Sequence, residues 1–167
     1  GVARVDVIST QMPPAPDEKR LYAQLLLAAG APVGIEDKLH RIETRALGLL
    51  KAFQPQMIII DEVHHLLAGN PKEQRRSMNL LKFLANELRV SIAAVGTSDA
   101  LAAMQTDQQI ASRFEPMQIP RWGISEELRG FVATYVKGLP LREPSDVDDE
   151  ESLNIIMARS AGVTGRM

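Results

Sequence analysis

Met57-Ile58-Ile59-Ile60-Asp61-Glu62 constrains this chain more than any other stretch, because an apolar run ends there in two adjacent carboxylates. A short run rich in β-branched residues reads as a buried strand of a parallel sheet. Ionised carboxylates are costly at the end of such a strand unless a cation or hydrogen-bond donors receive them. The run therefore predicts an α/β fold with polar chemistry at the carboxyl end of a strand, where open α/β sheets bind their ligands.

One chemistry that needs this pair is nucleotide hydrolysis. Asp61 would hold a Mg2+-bound water and Glu62 would orient the attacking water, the pattern called Walker B. The bland alternative is that two acidic residues merely open the loop after a strand. The partner motif, a phosphate loop of the form G-x-x-x-x-G-K-S/T, is not in these residues, and no Gly-Lys dipeptide occurs. The nearest glycine-containing stretch, Gly30-Ala-Pro-Val-Gly34-Ile-Glu-Asp-Lys38, has the wrong residue after its second glycine.

The 167 residues suit one ordinary domain, and 45% apolar with 24% charged residues is the composition of a soluble globular protein. A net charge of −2 supplies no bulk attraction to nucleic acid, so such a role requires a local basic patch. Cysteine is absent, which removes disulfides, thiolate metal sites and cysteine nucleophiles, and suits a reducing cytoplasm. No apolar run approaches the ~20 residues that span a bilayer, and no signal-peptide organisation opens the chain. The strand-like start and the unpunctuated end at Gly162-Val-Thr-Gly-Arg-Met167 predict an excised fragment.

Strands are expected at residues 5–9, over the apolar run that begins at Met57, and at 91–95 and 114–119. Met12-Pro-Pro-Ala-Pro16 forbids regular structure, and Asp17 caps a helix over 18–29. Further helices are expected over 36–53, from Pro71 to about residue 89, over 99–104, 107–113 and 126–137, and near 153–160. Residues 63–70 read as a loop or short helix. Alternating strands and helices indicate a parallel sheet. Residues 1–138 form the α/β core in this reading, and 139–167 begin a small helical lid.

Three further constellations accompany the acidic pair. Ala94-Val95-Gly96-Thr97-Ser98 ends a strand in hydroxyls, which suits either a helix cap, for which Ser98 is the better placed, or a γ-phosphate sensor, for which Thr97 is. Arg113, before Phe114, is a surface charge or an arginine that reaches a neighbouring subunit's nucleotide, with Phe114 anchoring the segment in the core. His64 and His65 adjoin the pair, but adjacent residues point in different directions. With no cysteine and only His40 besides, zinc is not expected, and both read either as residues that support the acidic pair from behind or as loop-packing residues. Lys72, Arg75, Arg76, Lys82 and Arg89 read as a solvated face, with a DNA-facing patch as the minority alternative. Met57, Met78, Met104, Met117 and Met157 read as core filler.

These features occur in a recognisable order. Ile59-Ile60-Asp61-Glu62-Val63-His64-His65-Leu66-Leu67-Ala68-Gly69 is followed by Asn79-Leu-Leu-Lys82-Phe-Leu-Ala-Asn-Glu-Leu88, Val95-Gly96-Thr97 and Ser112-Arg113-Phe114. Then come Pro120-Arg-Trp122, Leu139-Pro-Leu-Arg142 and Gly162-Val-Thr-Gly165-Arg166. In this the chain resembles the TniB family of transposition ATPases, relatives of TnsC within the AAA+ superfamily. The resemblance implies a P-loop NTPase core that lacks its first strand and phosphate loop, which lie upstream in the family. It implies ATP and Mg2+ as cofactors, and DNA, a transposase and other transposition proteins as partners, with self-association. It also implies target selection and transposase activation. By resemblance Asp61 and Glu62 are the Walker B pair, Thr97 is sensor 1, Arg113 the arginine finger and Arg166 a sensor 2 arginine. A chain without the phosphate cradle is expected to bind ATP poorly and not to turn it over.

Two other classes fit part of the sequence. A non-catalytic interaction module would use the basic helix or Arg121-Trp122 to hold a partner, its carboxylates being vestigial. Another AAA+ loader or replication initiator would share the same strand-end machinery.

Overall fold

A computed structural model describes residues 6–34, 36–105, 108–140, 145, 147 and 149–166, apart from the side chains of Ala103, Gln109, Ile110 and Arg166. The apolar run forms β2, Met57–Asp61, the middle strand of a three-stranded sheet. β1, Val7–Gln11, and β3, Ser91–Ala94, flank it, and both pairings are parallel. Ile58 lies opposite Ile8 and Ile92, and Ile60 opposite Thr10 and Ala94. Ile58 and Ile60 are wholly buried, whereas Ile59 and Asp61 are half-buried. The strand thus packs fully on one face only, although its sequence is continuously apolar. The strand expected over 5–9 starts at Val7 and runs on to Gln11; Val5 lies outside the described residues.

Two helices connect β1 to β2. α1, Glu18–Ala28, begins at Asp17, whose Oδ1 accepts the Arg20 N–H at 3.1 Å. Its Leu21, Tyr22, Leu25 and Leu26 are buried, and it packs on β1 and on α2, Leu39–Phe53. The Tyr22 hydroxyl donates to Glu43 Oε1 at 3.3 Å across this helix pair. Burial, and then the Glu43 carboxylate, push that phenol well above its ordinary range. α2 starts later than the expected residue 36, because Asp37 serves the preceding loop. Its Oδ2 accepts the Gly34 N–H at 3.0 Å and pairs with Arg45 at 3.2 Å.

After β2 the chain makes a 3-10 helix, Val63–Ala68, and then the longest helix, α3, Pro71–Leu88. Asn70 caps α3 in a reciprocal box: its Oδ1 accepts the N–H groups of Lys72 and Glu73, both at 3.0 Å. Glu73 Oε2 in turn accepts the Asn70 N–H at 2.9 Å. We expect Asn70→Ala to lower stability by about 1 kcal/mol, read from a urea melt, and Asn70→Asp to retain most of it. An unchanged midpoint for Asn70→Ala would show that the box contributes nothing. Of the basic residues on α3, Arg76 pairs with Glu18 at 2.8 Å, while Lys72 and Arg75 are exposed.

α4, Ser98–Gln105, and α5, Gln108–Ala111, follow β3. The strand expected over 114–119 is not formed: these residues have no sheet partner among the described residues. Phe114 packs against the core as expected, but Met117 and Ile119 are 88% and 87% exposed. An apolar stretch becomes a strand only where a neighbouring strand takes its backbone groups, and none lies alongside. Met117 is thus no core residue, and Met57 is also exposed, whereas Met78 and Met104 are buried as expected.

The chain divides into two compact units, Gly1–Pro116 and Met117–Met167. The second holds α6, Glu126–Lys137, and α7, Glu150–Ser160, around Leu128, Val132 and Leu153. Trp122 stacks on Phe131 with ring centroids 5.2 Å apart, and its backbone N–H donates to the Gly162 carbonyl at 2.9 Å. Gly162 has φ +74°, and a Cβ there would fall 2.4 Å from the Trp122 carbonyl oxygen, so no other residue fits without a backbone shift. Of the expected linker after Leu139, residues 141–144 lie outside the described residues. Among the described residues no helix is long and apolar enough to cross a membrane.

Candidate functional site at the end of the central strand

The parallel ladder continues past the ends of β2 and β3, and this places the candidate residues side by side. The Val95 N–H donates to the Ile60 carbonyl at 2.9 Å, and the Val63 N–H donates to the Val95 carbonyl at 2.8 Å. Val95-Gly96-Thr97 is thereby held against Asp61-Glu62-Val63. Gly96 permits the approach: a Cβ there would meet Val63 Cγ1 at 2.8 Å and the His64 backbone nitrogen at 3.2 Å. On the other side, the Met12 N–H donates to the Asp61 carbonyl at 2.8 Å, so the β1 end is tied to the same point.

Glu62 leaves the strand with φ 56° and ψ 33°, in the left-handed region. A non-glycine residue there costs roughly 1–2 kcal/mol, which the surrounding hydrogen bonds must offset. Its N–H donates to Asp61 Oδ1 at 2.7 Å. Asp61 keeps its second oxygen for another partner. Both side chains are half-buried, accessible to a ligand yet shielded enough for charge to matter.

His64 and His65 join this end of the sheet, correcting the expectation that their adjacency separates them. Their ring centroids stand 4.7 Å apart with the planes at 57°. His64 Nδ1 lies 3.1 Å from Glu62 Oε2, but the approach is not aligned for a hydrogen bond. His65 Nδ1 lies 3.0 Å from the Met12 carbonyl oxygen. The tight 3-10 turn that starts at Val63 folds both rings back toward the strand end. The left-handed Glu62 that begins this turn carries no sequence signal, since glycine or asparagine is the ordinary occupant of that conformation.

Thr97, the residue after Gly96, is exposed, and its carbonyl accepts the Leu101 N–H at 3.3 Å. Thr97, not Ser98, therefore occupies the capping position of α4, whose first residue is Ser98. Arg113 is exposed, and its Nη1 donates to Asn86 Oδ1 of α3 at 2.8 Å. Asn86 as a partner for that guanidinium was not legible from sequence, because the two are 27 positions apart with no motif joining them. The Arg166 side chain lies outside the described residues. The structure thus brings Asp61, Glu62 and the Thr97 segment together, with His64 and His65 added, and holds Arg113 on α3.

A parallel α/β core whose central strand ends in an acidic pair, with a Gly-Thr strand tip beside it, is compatible with a truncated P-loop NTPase-like core. The family model described as Bacterial TniB protein matches residues 1–124, and the chain belongs to the TniB family. That membership carries a transposition-related role. No curated protein sequence matches the chain.

Proposed function

We propose that the chain carries the hydrolytic and sensing part of an ATP-dependent regulator of DNA transposition, which assembles on DNA, selects targets and activates a transposase. The observation that supports this reading is the extended ladder from Ile60 through Val95 to Val63, which ties the Val95-Gly96 strand tip to the chain leaving the acidic pair in a TniB-family protein. Asp61 fits a hydrated Mg2+: one oxygen is taken by the Glu62 N–H and the other suits a hard cation that keeps most of its waters. Glu62 orients the attacking water, and the Thr97 hydroxyl reports on the terminal phosphate. Arg113 serves the nucleotide of a neighbouring copy, and Arg166 is the sensor of the second unit. The exposed cations of α3, Lys72 and Arg75, supply the local basic density for phosphate contact with DNA. Replication loaders use similar strand-end machinery, but the family match favours transposition.

The phosphates of ATP do not find their cradle in these residues, since no G-x-x-x-x-G-K-S/T is present. Isothermal titration of this chain with Mg-ATP should therefore show no micromolar binding, and micromolar affinity would refute the division of labour. In the product of the complete gene, Glu62→Gln should leave ATP binding intact and lower phosphate release by roughly 10²- to 10⁴-fold. Unchanged turnover would remove Glu62 from the chemistry.

A further inference from the structure

We propose that Glu62, His64 and His65 form a binding site for a divalent transition metal ion of the zinc class, distinct in chemistry from the Mg2+ position at Asp61. One ligand atom from each of the three lies within 4.8 Å of the other two, and all three residues are half-buried. Ligands about 2.1 Å from a tetrahedral zinc ion stand roughly 3.4 Å apart. The widest pair therefore closes by at most about 1.4 Å, shared between two side chains that rotate about their terminal torsions.

The two imidazoles are prepared in different ways. The Met12 carbonyl can only accept, so His65 Nδ1 carries the proton of their 3.0 Å contact. His65 Nε2 is then left with a free lone pair, in the arrangement by which an outer carbonyl orients a metal-bound histidine. Met12 is itself fixed by its 2.8 Å bond to the Asp61 carbonyl, so the orienting group does not drift. His64 Nδ1 is buried without a hydrogen bond, 3.1 Å from Glu62 Oε2. In the tautomer with Nε2 protonated, Nδ1 turns a lone pair toward the carboxylate oxygen, an arrangement that a metal ion between them relieves, and the misaligned approach suits such an ion better than a shared proton.

Two imidazoles with one carboxylate select zinc, cobalt or nickel over magnesium, which demands oxygen ligands. Three protein ligands leave a fourth position open to water. Glu62 cannot serve this ion and orient a water for hydrolysis at once, so zinc would inhibit turnover; that consequence, unlike the binding, rests on the function proposed above.

Titration of this chain with Zn2+ tests the site directly. The chain has no cysteine and only His40 besides these two histidines, so competing ligands are few. We expect one ion per chain at micromolar affinity, unaffected by excess Mg2+, and a visible Co2+ spectrum of a low-coordinate nitrogen and oxygen site. His64→Ala and His65→Ala should each weaken binding by at least about 10-fold, the lower end of what loss of even an outer partner costs. Glu62→Gln, which preserves shape, should weaken it comparably, and zinc should raise the melting temperature of the parent chain but not of the variants. Absence of zinc binding to the parent chain overturns the proposal. So does zinc binding of undiminished affinity in Glu62→Gln and in the His64→Ala/His65→Ala double variant.

Discussion

In a form of the protein that carries a phosphate loop, Arg113→Ala should lower ATP turnover by roughly 10³- to 10⁵-fold, the range that arginine fingers contribute, while nucleotide binding stays near normal. The expectation follows from where the guanidinium sits. It is exposed, at the end of α5, with Phe114 anchored in the core next to it and a single hydrogen bond to Asn86 holding it on α3. An exposed arginine held by a surface hydrogen bond loses little fold stability on removal, so a large kinetic loss would report on chemistry rather than on folding. Arg113→Lys should recover only part of the rate, because a lysine keeps the charge but not the planar fork. Asn86→Ala should change turnover by only a few-fold, since it frees the side chain without removing it. Mixing Arg113→Ala with Glu62→Gln gives the sharper test. If the arginine acts on the neighbouring copy, mixed assemblies contain some sites with both an intact Glu62 and an intact Arg113 and regain activity that neither variant has alone. Turnover of Arg113→Ala within twofold of the parent, or no recovery on mixing, would return Arg113 to a plain surface charge.

What the sequence could reveal divides along a physical line. β2, α1, α6 and the start of α3 are legible because each is specified within a few residues: an apolar run, an Asp before a helical period, an apolar helical spacing, a proline at a first turn. The absent strand over 114–119 was not legible, because its apolar residues satisfy a local pattern while strand formation depends on a neighbour far along the chain. Three helices end in left-handed residues that are not glycine, Gln54, Arg89 and Ala161, yet each ends within a residue of the expected position. At the site, Asp61, Glu62 and Thr97 were legible as motif residues, and the ladder that joins them is the kind a parallel sheet supplies. The convergence of His64 and His65 on Glu62 was not, since it follows one backbone conformation, the left-handed Glu62, that residues other than glycine, asparagine and aspartate adopt rarely. Sequence adjacency argued against a shared ligand; a tight turn reversed that geometry.

The core beneath the site should be far less tolerant than the site itself, and Ile60→Asp is expected to unfold the chain near neutral pH. Ile60 is wholly buried in the middle strand, between Thr10 and Ala94, directly before Asp61. A carboxylate there has no partner in the apolar cluster, and an unpaired buried ion costs several kcal/mol even after relaxation. A domain of this size is stable by only about 5–15 kcal/mol. Ile60→Val is the matched control, expected to cost about 0.5–1.5 kcal/mol for one lost methylene. The pH dependence separates charge from shape. Burial raises the carboxyl pKa in the folded state, so the folded chain binds more protons than the unfolded one above the ordinary aspartate range, and stability falls as pH rises there. Ile60→Asp should therefore be most nearly folded in acid, relative to the parent chain at the same pH, and should lose its circular-dichroism signature of packing as pH climbs toward neutrality. Ile60→Asn, which has similar bulk and no charge, should remain destabilised without that slope. If Ile60→Asp melts like Ile60→Val at neutral pH, the strand end is open to water along its whole face, and the half-buried setting that gives Asp61 and Glu62 their electrostatic leverage is not there.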